Sequence, residues 1–223
     1  MIIVHHLNNS RSQRVLWLLE ELGATYDVKR YERDAETMLA PDALKAVHPL
    51  GKSPVVEDAG RIYAETGAIV EHLLEAHGDG RLMLPAGTPE RDDCRYWLHY
   101  AEGSAMPPLL LKLVFMRIGS NAGPALLRPI TKMIANGALK SFVNPQVETH
   151  LRYWEGALAA SGWFAGGEFS AADIMMSFPL EAAASRAGLD ARYPNCRAFL
   201  KRIHERPAYQ KAIEVGGSYL YSG

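Results

Sequence analysis

A chain of 223 residues with 48% hydrophobic and 22% charged residues has enough apolar mass for one large or two small packed domains, and is unlike a disordered polypeptide. Its 24 basic and 25 acidic side chains leave a formal net charge of −1, which gives no global attraction to nucleic acid or an anionic membrane and favours a small or local partner. The two cysteines, Cys94 and Cys196, lie far apart and form no CxxC pair, so neither a disulfide framework nor a zinc site is expected, and a reducing cytoplasm fits.

The opening Ile2-Ile3-Val4 lacks the basic flank and long apolar core of a targeting signal, and no run is long enough to span a bilayer. Segment 2–7 reads as a short buried strand, interrupted by the turn and cap residues Asn8-Asn9-Ser10-Arg11-Ser12. Val15, Leu18, Leu19 and Leu22 then recur at i, i+3, i+4 and i+7, and Gly23 stands where a helix would end. Tyr26 and Val28 alternate with Thr25, Asp27 and Lys29 as a second strand. Strand, helix and strand in this order imply a right-handed parallel crossover.

A polar stretch with one short helix at most, near Pro41, precedes two strands at 54–57 and 61–64 around Asp58-Ala59-Gly60. Pro54 cannot donate to a sheet ladder, so main-chain groups in His48-Pro49-Leu50-Gly51-Lys52-Ser53-Pro54 stay available for another partner. Glu65-Thr66-Gly67 introduces a helical pattern, Ile69, Val70, Leu73 and Leu74, whose first amides would point at any carboxylate placed there. A βαβ unit followed by ββα gives an α/β domain, one mixed sheet flanked by helices, of thioredoxin-like layout.

Gly78, Gly80, Pro85, Gly87 and Pro89 crowd the next stretch as a linker would. The expected organisation is a first domain at 1–78, a linker at 79–89 and an all-α second domain at 90–223, with helices at 90–115, 124–142, 145–160, 171–187 and 195–204. Pro107-Pro108 should kink the first of these. Its apolar residues, Trp97, Tyr100, Met106, Leu109, Leu113 and Phe115, are expected mostly in the core, with a minority lining a pocket between the domains. In Phe169-Ser170-Ala171-Ala172-Asp173-Ile174, Ser170 and Asp173 form a capping box with Asp in place of the usual Glu, and Phe169 is placed to staple onto Ile174.

This layout, the Gly51-Lys52-Ser53-Pro54 loop, the Glu65-Thr66 pair and the Ser170 to Asp173 box together resemble the cytosolic glutathione transferase family over nearly the whole chain. The run Ser10-Arg11-Ser12-Gln13-Arg14-Val15-Leu16-Trp17 further resembles bacterial and fungal members with a small polar residue after strand one. The resemblance implies glutathione as co-substrate, a small hydrophobic electrophile as the other, a homodimer, and a cis peptide bond before Pro54. It implies that Ser53 holds the cysteinyl part of glutathione by main-chain hydrogen bonds, that Lys52 meets the glycyl carboxylate, and that Glu65 and Thr66 meet the γ-glutamyl ammonium and carboxylate. Tyr100-Ala101-Glu102-Gly103-Ser104 resembles the same bacterial subgroup, and Glu102 is then expected to reach across the dimer to the partner's γ-glutamyl group.

A free thiol with a pKa of about 8.5 is only about 3% thiolate at neutral pH, so an enzyme that uses it must stabilise the anion. Lowering that pKa by about two units requires about 2.7 kcal/mol of preferential stabilisation. Ser10, between strand one and helix one, is the first choice as donor to the sulfur; Ser12 is the runner-up and Asn9 a further donor, while either serine also reads as an N-cap or turn residue. The same thiolate would serve peroxide reduction, and a non-catalytic ligand- or protein-binding member of the fold is a third reading. A thiol-disulfide oxidoreductase is disfavoured because no cysteine follows strand one. His5, His6, His72, His77 and His99 show no ligand spacing along the chain, so no metal is expected, and the scattered Arg11, Arg14, Lys29 and Arg30 make no nucleic-acid patch.

Overall fold

A computed structural model describes residues 1–121 and 124–221. Residues 122–123 and 222–223, which the expected second domain includes, lie outside the described residues. The first half is a four-stranded mixed sheet: β1 (Ile2–Leu7), β2 (Tyr26–Tyr31), β3 (Val55–Asp58) and β4 (Arg61–Ala64), in the spatial order β2-β1-β3-β4. β2 runs parallel to β1 through the crossover helix α1 (Ser12–Leu22), whereas β3 is antiparallel to both β1 and β4. Gly23 ends α1 at φ 62°; its N–H bonds Glu20 O and that of Ala24 bonds Leu19 O, a close that needs a left-handed residue. The polar stretch holds the short α2 (Asp42–Lys45), and α3 (Thr66–His77) completes the unit.

The second half is helical: α4 (Pro89–Tyr100), α5 (Met106–Asn121), α6 (Arg128–Ala138), α7 (Asn144–Ser161), α8 (Ala171–Arg186), α9 (Pro194–His204) and α10 (Pro207–Gly216). The expected kinked helix at 90–115 is instead α4 and α5 joined by a π-helical turn, Ala101–Ala105. In an unbroken α-helix the Gly103 and Ser104 carbonyls would look for N–H groups at Pro107 and Pro108, which have none. The backbone widens ahead of them, so that Met106 N–H bonds Ala101 O. The same turn recurs at Leu139–Val143, just before Pro145, where Asn144 N–H bonds Leu139 O. α10 is an element the sequence pattern did not supply, because its ten residues span fewer than three turns.

α8 is buried along most of its length and therefore has no single apolar stripe. Its start carries the expected capping box, Ser170 with Asp173. Asp173 also accepts the Phe164 N–H at 2.9 Å, so one carboxylate organises both the helix and the preceding loop. Phe169 packs its ring against Trp17 of α1 and Trp163, under the Arg206 guanidinium, and so ties this corner to the first domain. Removing the carboxylate in Asp173→Ala leaves the Phe164 and Ser170 amides buried without it. At about 1–3 kcal/mol per stranded donor, the urea midpoint should fall by the equivalent of about 2–6 kcal/mol with an unchanged denaturant slope.

Candidate active site

The strand register gathers the chemistry-bearing loops at the C-terminal end of β1. His5 pairs with Val55 and Val55 with Ala64, so the positions before β3 and after β4, Pro54 and Glu65, are neighbours beside the loop that leaves Leu7 for α1. Ser53 locks this arrangement. Its hydroxyl donates to His5 O at 2.9 Å and accepts Leu7 N–H at 3.2 Å. The Ser53-Pro54 bond is cis, as the resemblance implies, and Pro54 is buried. Among the described residues no main-chain hydrogen bond involves the N–H or C=O of Lys52 or Ser53, although Gly51 N–H closes a turn onto His48 O. Lys52 is exposed and in no ion pair among the described residues.

Glu65 occupies the N-cap position of α3 at φ 68°, ψ 121°, a region that a residue with a Cβ seldom adopts. Its carbonyl accepts the Ile69 N–H, but its exposed side chain makes no capping bond. Simple helix capping therefore does not account for the glutamate. Thr66, the first residue of α3, is buried beside it.

Ser10 and Ser12 belong to one chain of hydroxyls. Ser10 Oγ lies 2.7 Å from Ser12 Oγ and accepts Ser12 N–H at 3.2 Å, the turn-serine role; Ser12 Oγ lies 2.8 Å from His6 Nδ1. The Gly216 main chain at the end of α10 lies beside the His6 ring and favours its charged form. Ser12 Oγ also lies 3.4 Å from Leu7 O, a second acceptor for its proton, so the hydroxyls and the imidazole share one connected network. Ser12 is fully enclosed at 0% exposure against 4% for Ser10, so Ser12 stands behind Ser10 and not beside it. Asn9, at φ 50°, gives its amide oxygen to the Leu220 N–H at 2.8 Å, which brings the C-terminal tail over this loop.

Residues that sequence reasoning passed over complete the site. Arg14, 1% exposed on α1, donates to Met175 O at 2.7 Å and also to Glu102. Arg11 pairs with the other Glu102 oxygen at 2.9 Å, and both guanidinium groups lie over the Phe178 ring. Burial works against the Glu102 charge, but Arg14 and Arg11 together hold its carboxyl below the ordinary glutamate value. Glu102, expected to reach a partner subunit's ligand, thus has both oxygens engaged within its own chain, and any such reach must share them with Arg11 and Arg14. The overlooked signal was the placement of two arginines in the first turn of a helix, where the dipole disfavours cations and an anion has to offset them. Of the residues expected along α4 and α5, Trp97, Tyr100, Met106 and Leu109 are core, while Leu113 and Phe115 remain partly exposed.

Burial lowers the His6 pKa to about 4; the Gly216 bond opposes the shift and the Arg30 charge adds to it. The folded value lies below the unfolded 6.5, so the unfolded chain binds the extra proton between those values. The stabilisation is complete above pH 6.5 and is lost as pH falls toward 4. Between pH 7 and pH 4 the unfolding free energy should fall by about 3 kcal/mol more in the parent chain than in His6→Gln, measured by urea titration at each pH.

Comparison with known proteins agrees with this geometry. The family description "Glutathione S-transferase, N-terminal domain" matches residues 1–75, and "Glutathione S-transferase, C-terminal domain" matches residues 138–202. The chain is 36% identical over 215 residues to Glutathione S-transferase 3 of Schizosaccharomyces pombe, covering 96% of this chain and 87% of that protein. It is 31% identical over 231 residues to Glutathione S-transferase 1 of Saccharomyces cerevisiae, covering 98% of each. The crystal structure of a glutathione S-transferase from Actinobacillus pleuropneumoniae superposes with a TM-score of 0.82 at 34% identity, covering 100% of this chain and 95% of that one. With both domain descriptions matched and relatives of this identity aligned almost end to end, the chain belongs to the glutathione S-transferase family.

Proposed function

We propose that this chain binds glutathione at the C-terminal end of β1 and transfers its thiolate to a small hydrophobic electrophile. The observation that carries the reading is the convergence of three unspent groups: the main chain of Lys52 and Ser53, the Glu65 side chain held in a left-handed backbone without capping α3, and the amide end of α3 at Thr66. An extended peptide laid along segment 52–54 finds main-chain partners, as an added strand would. Its free amino and carboxylate ends then meet Glu65 and Thr66, with Lys52 available to the far carboxylate.

Ser10 is the thiolate donor in this reading, and Ser12 with His6 positions it. Directing the Ser10 hydroxyl proton to a sulfur anion gives up at most a neutral hydrogen bond of about 1 kcal/mol to Ser12 Oγ and makes a charge-assisted one of about 1.5–3 kcal/mol, so the balance favours the sulfur. The positive end of α1 adds to it. The electrophile would enter between the domains, past the partly exposed Leu113 and Phe115. The homodimer is supported by the apolar side chains of Leu126, Ile130, Met133 and Phe142, all left exposed. Cys94 and Cys196 are free, buried thiols, in keeping with a reducing cytoplasm, and no helix among the described residues is long and apolar enough to cross a membrane.

Following thiolate absorbance during a pH titration of bound glutathione should give a pKa about two units below that of the free thiol. Ser10→Ala should raise that value by about one to two units, and an unchanged pKa would remove Ser10 from the role. By calorimetry, Glu65→Gln should weaken glutathione at least about 10-fold, equivalent to about 1.4 kcal/mol, while leaving the melting temperature close to the parent; unaltered affinity refutes the assignment. A panel of aryl halides, epoxides and hydroperoxides separates conjugation from peroxide reduction, and absence of glutathione binding would favour the non-catalytic reading.

A further inference from the structure

At the opposite end of β1, His72 and His77 of α3 converge on one oxygen of Asp58, the last residue of β3. His72 Nε2 lies 2.9 Å and His77 Nε2 2.7 Å from Asp58 Oδ2, and the three candidate ligand atoms lie within 4.8 Å of one another. Five residues apart on a helix of 3.6 residues per turn, the two histidines sit roughly 140° apart around the axis. Their rings meet only because each turns toward the strand end, where the 89° angle between them aims both nitrogens at one point. Tyr63 stacks on the His72 ring at 3.7 Å, with the Arg61 guanidinium over the Tyr63 ring, which holds that imidazole in place. Asp58 is the buried member, with 8% of its side chain exposed, whereas His72 and His77 are 21% and 32% exposed and leave a path from solvent. Asp58 and His77 also border a depression of about 440 Å3, with Asp79, Thr25 and Met1 on its wall.

We propose that Asp58, His72 and His77 form a binding site for one divalent first-row transition ion of the zinc type, separate from the glutathione site. Two imidazole nitrogens and one carboxylate oxygen are a donor set this class of ion takes, with water completing a tetrahedron. Metal-donor bonds of about 2.0–2.2 Å put neighbouring donors of a tetrahedron about 3.3 Å apart. An ion therefore needs the two contacts to Asp58 to open by about half an ångström and the two imidazole nitrogens, within 4.8 Å of each other, to settle at the same spacing. Ligation requires each imidazole to present its Nε2 lone pair, with any ring proton on Nδ1, and the depression supplies room for the water. The rise along α3 puts His72 about 9 Å and His77 about 16 Å from Thr66, so the ion has no contact with the glutathione-binding groups.

The test uses the full chain without an affinity tag, treated with a chelator and then titrated with cobalt(II) and, by calorimetry, zinc(II). One equivalent should bind at micromolar or lower concentration, with visible cobalt bands of tetrahedral intensity and a raised melting temperature. Asp58→Asn and His77→Gln should each weaken binding at least about 10-fold while leaving glutathione affinity unchanged. The proposal is overturned if the parent chain takes up no ion at millimolar zinc, or if the double variant His72→Gln with His77→Gln, folded by circular dichroism, binds as tightly as the parent. In either case the cluster is a hydrogen-bonded clamp between α3 and β3.

Discussion

The structure depends on the burial of α1 from every side. The helix packs on β1 and α3 of its own domain and on α8 and α10 of the other, so it is the wall that both domains share. Val15, Leu16, Leu18 and Leu19 satisfy that position with apolar surface, but Ser12 and Arg14 are buried as well and need polar partners. Those partners come largely from outside the helix's own domain: Glu102 from the π turn and Met175 O from α8 for Arg14, and the Gly216 main chain of α10 behind the His6 that pairs with Ser12. The second domain thereby completes the polar interior of the first.

The same constraint explains why Glu102 lies where the helix is irregular. A regular helix through Ala101–Ala105 would have left carbonyls facing prolines, and the widened turn that avoids this is also the segment whose glutamate meets two guanidinium groups. Taking one partner from such a set leaves a buried charge uncompensated, a cost of about 3–5 kcal/mol when a buried pair is broken. The arginine pair is therefore bound up with domain docking as well as with the candidate site. The C-terminal tail adds to the docking. Buried Glu181 of α8 accepts from Tyr209 at 2.6 Å and Tyr219 at 2.5 Å, and Leu220 then reaches Asn9.

Much of the first domain was legible along the chain because its elements are short and their signals local. Val15, Leu18, Leu19 and Leu22 of α1, the glycine that closes it and the turn at Ala59-Gly60 each depend on a few neighbouring residues, as does the capping box at Ser170 in the second domain. The loop before Pro54 and the Glu65-Thr66 pair were legible for the same reason. The proline removes a donor and the glutamate precedes an apolar helix, whatever the rest of the chain does. Where the pattern misled, competing local rules met: Pro107 and Pro108 read as a kink, and the backbone answered with a wider turn one step earlier.

The sequence by itself determined the four strands, most of the helices and their order, and a set of polar residues left without a local structural task. Periodicity and turn chemistry act over a few residues and need no fold to express themselves. Only the tertiary structure decided how those polar residues combine. It set Ser12 behind Ser10 by burying it against His6, drew Glu102 onto Arg11 and Arg14 across 91 and 88 positions, and brought Asp58 between two histidines that no spacing rule relates. The physical reason is that a buried polar atom must find a partner in space, and which atoms become buried together is settled only when the sheet, α1 and the second domain pack.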